Sequence, residues 1–195
     1  MDGLRAPRAG RARVKGLILA GGKSSRFGSD KALALHKGKS FLERAVGLLR
    51  SVDLKPIIIT RRGTDYSFLD AVVIYDQLPE KGPLGGIYSA MTVFKRTPFL
   101  ILTCDMPALV PDVLSGLLYA HRTEDRITLC SSRDRGPQPF PGIYEPSIFN
   151  VVKEKIIRDD LSMRGLLQAV PARKTLEWEG NPAVFCNVNY KENLV

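Results

Sequence analysis

Histidine is nearly missing from this chain, with only His36 and His121 in 195 residues. A histidine-built metal centre and a Ser-His-Asp triad therefore have almost no raw material. Cysteine is scarce too. Cys104, Cys130 and Cys186 are odd in number, far apart and set in apolar runs, which argues against a disulfide framework or a zinc site and fits buried small hydrophobes in a reducing compartment. No apolar run approaches the roughly 20 residues of a membrane-spanning helix. Residues 1–13, rich in Arg, Gly, Ala and Pro, lack the apolar centre of a secretion signal and are expected to form a disordered Arg-rich extension. The expected location is cytoplasmic. A basic stripe interleaved with aromatics is also absent. Of the net charge of +9, three charges fall in residues 1–13 and the rest are scattered, so nucleic-acid binding is not expected as the main role. The chemistry must then use carboxylates, amides, cations and backbone.

What is present is an alternation of short apolar runs with helix-length amphipathic segments. Strands are expected at Val14–Leu19, Pro56–Thr60, Val72–Tyr75, Pro98–Thr103 and Ile127–Cys130. Ser40-Phe41-Leu42-Glu43 has the spacing of a capping box and opens a helix to about Ser51. A short helical segment is expected around Thr64–Leu69, and further helices run from Pro83 to about Lys95 and from Pro111 to about His121. Strands separated by helices imply βαβ units, hence one α/β domain over 14–195 with a mostly parallel sheet covered on both faces. Such sheets bind ligands beyond the carboxyl ends of their strands. The turn after Leu19, Asp76 after Tyr75, and Asp105 after Thr103 are all predicted at that edge.

The turn itself reads Leu19-Ala20-Gly21-Gly22-Lys23-Ser24-Ser25-Arg26-Phe27-Gly28-Ser29-Asp30-Lys31. A Walker A loop would place Gly at position 17 to match Gly22-Lys23-Ser24, but that position is Leu17 and the nearest glycine is Gly16. A G-x-G-x-x-G fingerprint is absent as well. There remain a glycine pair that lets backbone pass close to a ligand and three mobile cations, Lys23, Arg26 and Lys31. A triphosphate is the natural guest.

These residues resemble the signature of small-molecule nucleotidyltransferases, and most closely that of the molybdenum cofactor guanylyltransferase family. Gly82-Pro83-Leu84-Gly85-Gly86 is similar to the family's second glycine-rich turn, Thr103-Cys104-Asp105-Met106-Pro107 to its metal-binding aspartate motif, and Asn187-Val188-Asn189 to its C-terminal asparagine pair. The likeness runs in order from about 14 to 194, and Tyr190-Lys191-Glu192 departs from the family's usual Thr-Pro-Glu.

The resemblance implies a three-layer Rossmann-like fold with helices on both faces of the sheet. It implies transfer of GMP from GTP to the terminal phosphate of molybdopterin with release of pyrophosphate, a Mg²⁺ requirement, and transient contacts with molybdenum-insertion or cofactor-delivery proteins. By position, Arg26 and Lys31 would hold the phosphates, Lys31 at the α-phosphate, with Lys23 in a variable slot. Asp105 would bind Mg²⁺, Leu19, Ala20, Gly21 and Gly22 would border the base, and Asp76 and Gly82 match positions near the guanosine and the second turn. Gln138 and Pro139 match a segment beside the pterin, Asn187 and Asn189 match the pair near metal and pterin phosphate, and Arg133, Arg135 and Arg164 are candidate partners of that phosphate. The attacking oxygen belongs to a phosphate already ionised at neutral pH, so the scarcity of histidine is no obstacle.

Each role has a plainer rival: solvated surface cations for Arg26 and Lys31, a turn cap before Pro107 for Asp105, and an ion-pair partner that fixes the loop for Asp30. Two other functions stay open at this point, a related enzyme using CTP or UTP and a non-catalytic nucleotide-binding regulator.

Overall fold

The computed structural model describes residues 14–21 and 30–188. A single seven-stranded sheet runs through it. Five of its strands, β1 (Lys15–Leu19), β4 (Pro56–Thr60), β5 (Val72–Tyr75), β6 (Phe99–Thr103) and β7 (Ile127–Ser132), match the sequence expectation to within two residues at each end. β8 (Gly136–Tyr144) and β9 (Arg173–Trp178) join them, and β2 (Leu35–His36) and β3 (Lys39–Ser40) form a separate small hairpin. The sheet order is β5-β4-β1-β6-β8-β7-β9. β5, β4, β1 and β6 pair in parallel, whereas β8 lies antiparallel to both β6 and β7.

Alternate residues of each central strand feed two cores. Ile18, Ile58, Leu100 and Leu102 face the layer of α1 (Phe41–Arg50) and α3 (Pro111–Ala120), where Leu42, Val46, Leu49, Val113 and Leu117 are buried. Leu17, Ile57, Ile59, Phe99 and Ile101 face α2 (Gly82–Val93), α4 (Phe149–Ile157) and α5 (Met163–Ala169). A strand buried on both sides reads as a continuous apolar run, which is why these segments were legible. The capping box of α1 forms as expected, with the Glu43 amide donating to Ser40 Oγ at 3.1 Å and the Ser40 amide donating to Glu43 Oε2 at 2.7 Å.

One stretch differs from expectation, and one strand had no expectation to match. Thr64–Leu69 forms turns rather than a helix. There the Asp65 carboxylate accepts from the Ser67 amide at 2.9 Å, an Asx turn that competes with helical bonding. Gly136–Tyr144 is an interior strand despite Pro137, Pro139 and Pro141. The pairing with β7 jumps from Gly142–Leu129 to Gln138–Cys130, so Pro139 and Pro141 fall in the irregular stretch where no ladder donor is required.

Candidate nucleotide site

The carboxyl ends of β1, β4, β5 and β6 share one edge of the sheet with the first turn of α2, and between them lies a cleft of about 460 Å³. One wall is backbone: Leu19, Ala20 and Gly21 continue from β1, and the Ala20 amide donates to the Ile59 carbonyl at 2.9 Å, which holds the strand end in register. The opposite wall is the start of α2, where Gly82, Pro83 and Gly86 line the cleft. Glycine is needed at two positions here. A Cβ on Gly85 would stand 2.2 Å from the Leu78 carbonyl oxygen, and one on Gly86 would stand 3.0 Å from Leu19 Cδ2. The second glycine-rich turn therefore lets a helix N-terminus, free of acidic residues and of a side-chain cap, sit close to the end of β1. The dipole of such a terminus favours an anion.

Asp76 organises the turn leading to that helix. Its Oδ1 accepts from the Leu78 amide and lies 2.8 Å from Ser89 Oγ, while Ser89 Oγ also accepts from the Gln77 amide at 2.8 Å. The Asp76 amide donates to the Thr60 carbonyl at 2.7 Å, which ties the turn to β4.

The polar floor comes from the end of β6. Lys31 Nζ stands 3.0 Å from Asp105 Oδ2, with both side chains under one-fifth exposed, and Thr103 Oγ1 donates to Asp105 Oδ1 at 2.6 Å. The Asp105 carbonyl accepts from the Val188 amide at 2.9 Å, so the Asn187–Val188 segment docks against the same residue. Cys104 also lines the cleft, but burial and the adjacent Asp105 charge push its thiol up to about 12, which leaves it a poor nucleophile. Among the described residues, a largely buried ammonium (Lys31), a hard carboxylate and a helix N-terminus surround an apolar slot, an arrangement with the chemistry to take a phosphorylated, ring-bearing ligand.

The MobA-like NTP transferase domain matches residues 16–175. The chain belongs to the MobA-like NTP transferase family. A Flavobacterium johnsoniae protein named "Probable molybdenum cofactor guanylyltransferase" is 34% identical over 91% of this chain and 92% of its own length. An Aquifex aeolicus protein of the same name is 28% identical over 91% of this chain and 86% of its own. Among solved structures, the molybdopterin-guanine dinucleotide biosynthesis protein A of Archaeoglobus fulgidus shares the fold, with a TM-score of 0.72 and 19% identity over 92% of this chain and 94% of that one. The family resemblance and the Rossmann-like fold read from the sequence are both borne out.

In this MobA-like transferase, Leu19, Ala20, Gly21, Lys31, Asp76, Gly82 and Asp105 all line the one cleft. Gly22, Lys23, Arg26 and Asn189 lie outside the described residues. Gln138 and Pro139 lie elsewhere, in β8. The Gln138 amide is occupied in its own hairpin, donating to the carbonyls of Arg135 and Gly136, and the Pro139 carbonyl accepts from the Tyr144 hydroxyl. Arg133, Arg135 and Arg164 are exposed, and Arg135 Nη2 contacts Cys186 Sγ at 3.1 Å. Of the three cysteines, only Cys130 is fully buried. Among the described residues, Asp30 takes the structural role expected of it through hydrogen bonds from the Ala32 amide and the Tyr66 hydroxyl. Sequence reasoning missed Thr103, Ser89 and Tyr66. Thr103 was legible in principle as the hydroxyl two residues before Asp105, whereas Tyr66 carried no local signal. Among the described residues no helix is long and apolar enough to cross a membrane.

Proposed function

We propose that this protein transfers GMP from GTP to the terminal phosphate of molybdopterin, forming the guanine dinucleotide cofactor and pyrophosphate. The observation that carries this reading is the Lys31–Asp105 pair, held across the floor of the cleft from the α2 N-terminus. The names of the full-length relatives supply the acceptor and the base. In the reaction an acceptor phosphate oxygen attacks the α-phosphorus, a new P–O bond forms, and the bond to the bridging oxygen breaks as pyrophosphate leaves with its electron pair. Lys31 is assigned to the α-phosphate, whose charge it would neutralise, and Arg26 and Lys23, earlier in the sequence, are assigned as further phosphate-holding cations. Leu19 to Gly22 border the base, and Asp76 and Gly82 shape the guanosine side.

Asp105 is the residue that would hold Mg²⁺. The donor set fits that ion: the described residues contain no cluster of three acidic, histidine or cysteine side chains, and Mg²⁺ is commonly held by one or two carboxylates together with substrate phosphates and water. When bound, the ion supplies further charge neutralisation on the phosphates. Asn187, whose neighbour Val188 donates its amide to the Asp105 carbonyl, is assigned with Asn189 to the acceptor phosphate, and Gln138 and Pro139 to the pterin. Residues 14–195 act as one domain.

The test is to offer GTP, CTP, ATP and UTP separately with molybdopterin and Mg²⁺ and to measure pyrophosphate release together with the nucleotide attached to the pterin. Turnover with GTP alone, lost on chelation with EDTA, is the expected result. Turnover with CTP instead would keep the site and change the base, and silence with all four would overturn the reading.

A further inference from the structure

Lys31 reaches Asp105 from a single 3₁₀ turn, Lys31–Leu33, an element too short to fix a long side chain by itself. The turn is fixed by Asp30. Its Oδ1 accepts from the Ala32 amide at 3.1 Å and its Oδ2 accepts from the Tyr66 hydroxyl at 2.7 Å, so neither carboxylate oxygen is left to swing. Tyr66 stands 36 residues further on, between β4 and β5, and is 1% exposed, with its ring edge-on to Phe68. Burial, reinforced by the Asp30 carboxylate, holds the phenol far above its ordinary value, so it stays protonated and donates.

A buried phenol needs an acceptor, and for stability alone a backbone carbonyl would serve. This one instead grips the residue adjacent to the cleft's cation. We infer that Tyr66 is a positioning residue: through Asp30 it fixes the turn that carries the Lys31 ammonium onto Asp105 and the phosphate site. Tyr66 does not line the cleft, so it acts on the ligand only through Asp30 and Lys31. The inference rests on the reading of Lys31 as a phosphate-holding cation.

The experiment is a double-mutant cycle on the full chain. Tyr66→Phe removes the hydroxyl and keeps the buried ring, and Lys31→Met removes the charge. For each single variant and the pair, kcat/KM for GTP is measured by pyrophosphate release, GTP affinity by calorimetry and Tm by thermal scan. Tyr66→Phe should lower kcat/KM about tenfold, the worth of one charge-assisted hydrogen bond, and should add no further loss in the Lys31→Met background. Asp30→Ala, which leaves the buried ring untouched, should show the same dependence on Lys31. An equal loss in both backgrounds, or a lowered Tm with kcat/KM and affinity unchanged, would make the hydroxyl structural and overturn the positioning role. If Lys31→Met leaves kcat/KM for GTP unchanged, the phosphate reading of Lys31 fails first, and the role of Tyr66 falls with it.

Discussion

Lys31–Asp105 and His121–Glu145 sit at opposite edges of one sheet with similar separations, 3.0 and 2.9 Å, and differ in what surrounds them. The first lies beyond the carboxyl end of β6, about one-fifth exposed, facing a cleft. The second joins the end of α3 to the end of β8, with side chains 8% and 6% exposed, and His121 Nδ1 lies 2.8 Å from the buried Thr128 hydroxyl. His121 Nε2 shares a hydrogen bond with Glu145 Oε1, so both ring nitrogens have partners. That pair closes its own hydrogen-bonding account and leaves no room for a guest, whereas the Asp105 pair borders a cleft from which a ligand would reach it. A polar pair that is satisfied and sealed holds elements together. One left at a cleft edge where parallel strands end is available for chemistry.

The contrast predicts opposite failures. Asp105→Asn should have the largest effect, lowering kcat by on the order of 10²–10³ while Tm changes little and GTP binding largely persists. A fall in Tm with kcat retained would move Asp105 into the structural class, and the same variant separates an enzyme from a regulator with no turnover to lose. Glu145→Ala should do the reverse. It leaves Nε2 of the buried His121 ring without its partner, costing about 1–3 kcal/mol of unfolding free energy by denaturant titration, with kcat/KM for GTP unchanged.

The smallest effect sharpens the local field of the cleft. The Cys104 thiol, raised to about 12, should be alkylated negligibly by iodoacetamide at pH 8, with a rate rising about tenfold per pH unit as thiolate forms. Lys31 lowers that value and Asp105 raises it, so Lys31→Met should slow the labelling further. Faster labelling in Lys31→Met, followed by mass spectrometry of the Cys104 peptide, would contradict the proximity of the three groups.

Pro56–Thr60 was readable to the residue because a strand inside a parallel sheet carries its apolar signal locally, and Val72–Tyr75, although an exposed edge strand, was readable from its β-branched and aromatic run. Thr64–Leu69 misled because an Asx turn at Asp65 and the burial of Tyr66 outweigh a helical spacing. Gly136–Tyr144 drew no strand expectation, since three prolines hide a strand whose irregular pairing removes the need for some of its donors. The family resemblance, together with the expected strand ends, assigned Leu19, Lys31, Asp76, Gly82 and Asp105 to one site, and they do share one cleft.

By itself the sequence determined the βαβ succession, the loops that must meet at the carboxyl edge and the types of group available there, because strand and helix periodicities and glycine-rich turns are local properties of the chain. Only the tertiary structure decided that Lys31 meets Asp105 across 74 residues, that Tyr66 holds Asp30 across 36, that β8 runs against its neighbours and that His121 is sealed away on the far edge. Those pairings depend on which distant surfaces pack together, and a short polar side chain looks the same in sequence whether it faces a cleft, a core or water.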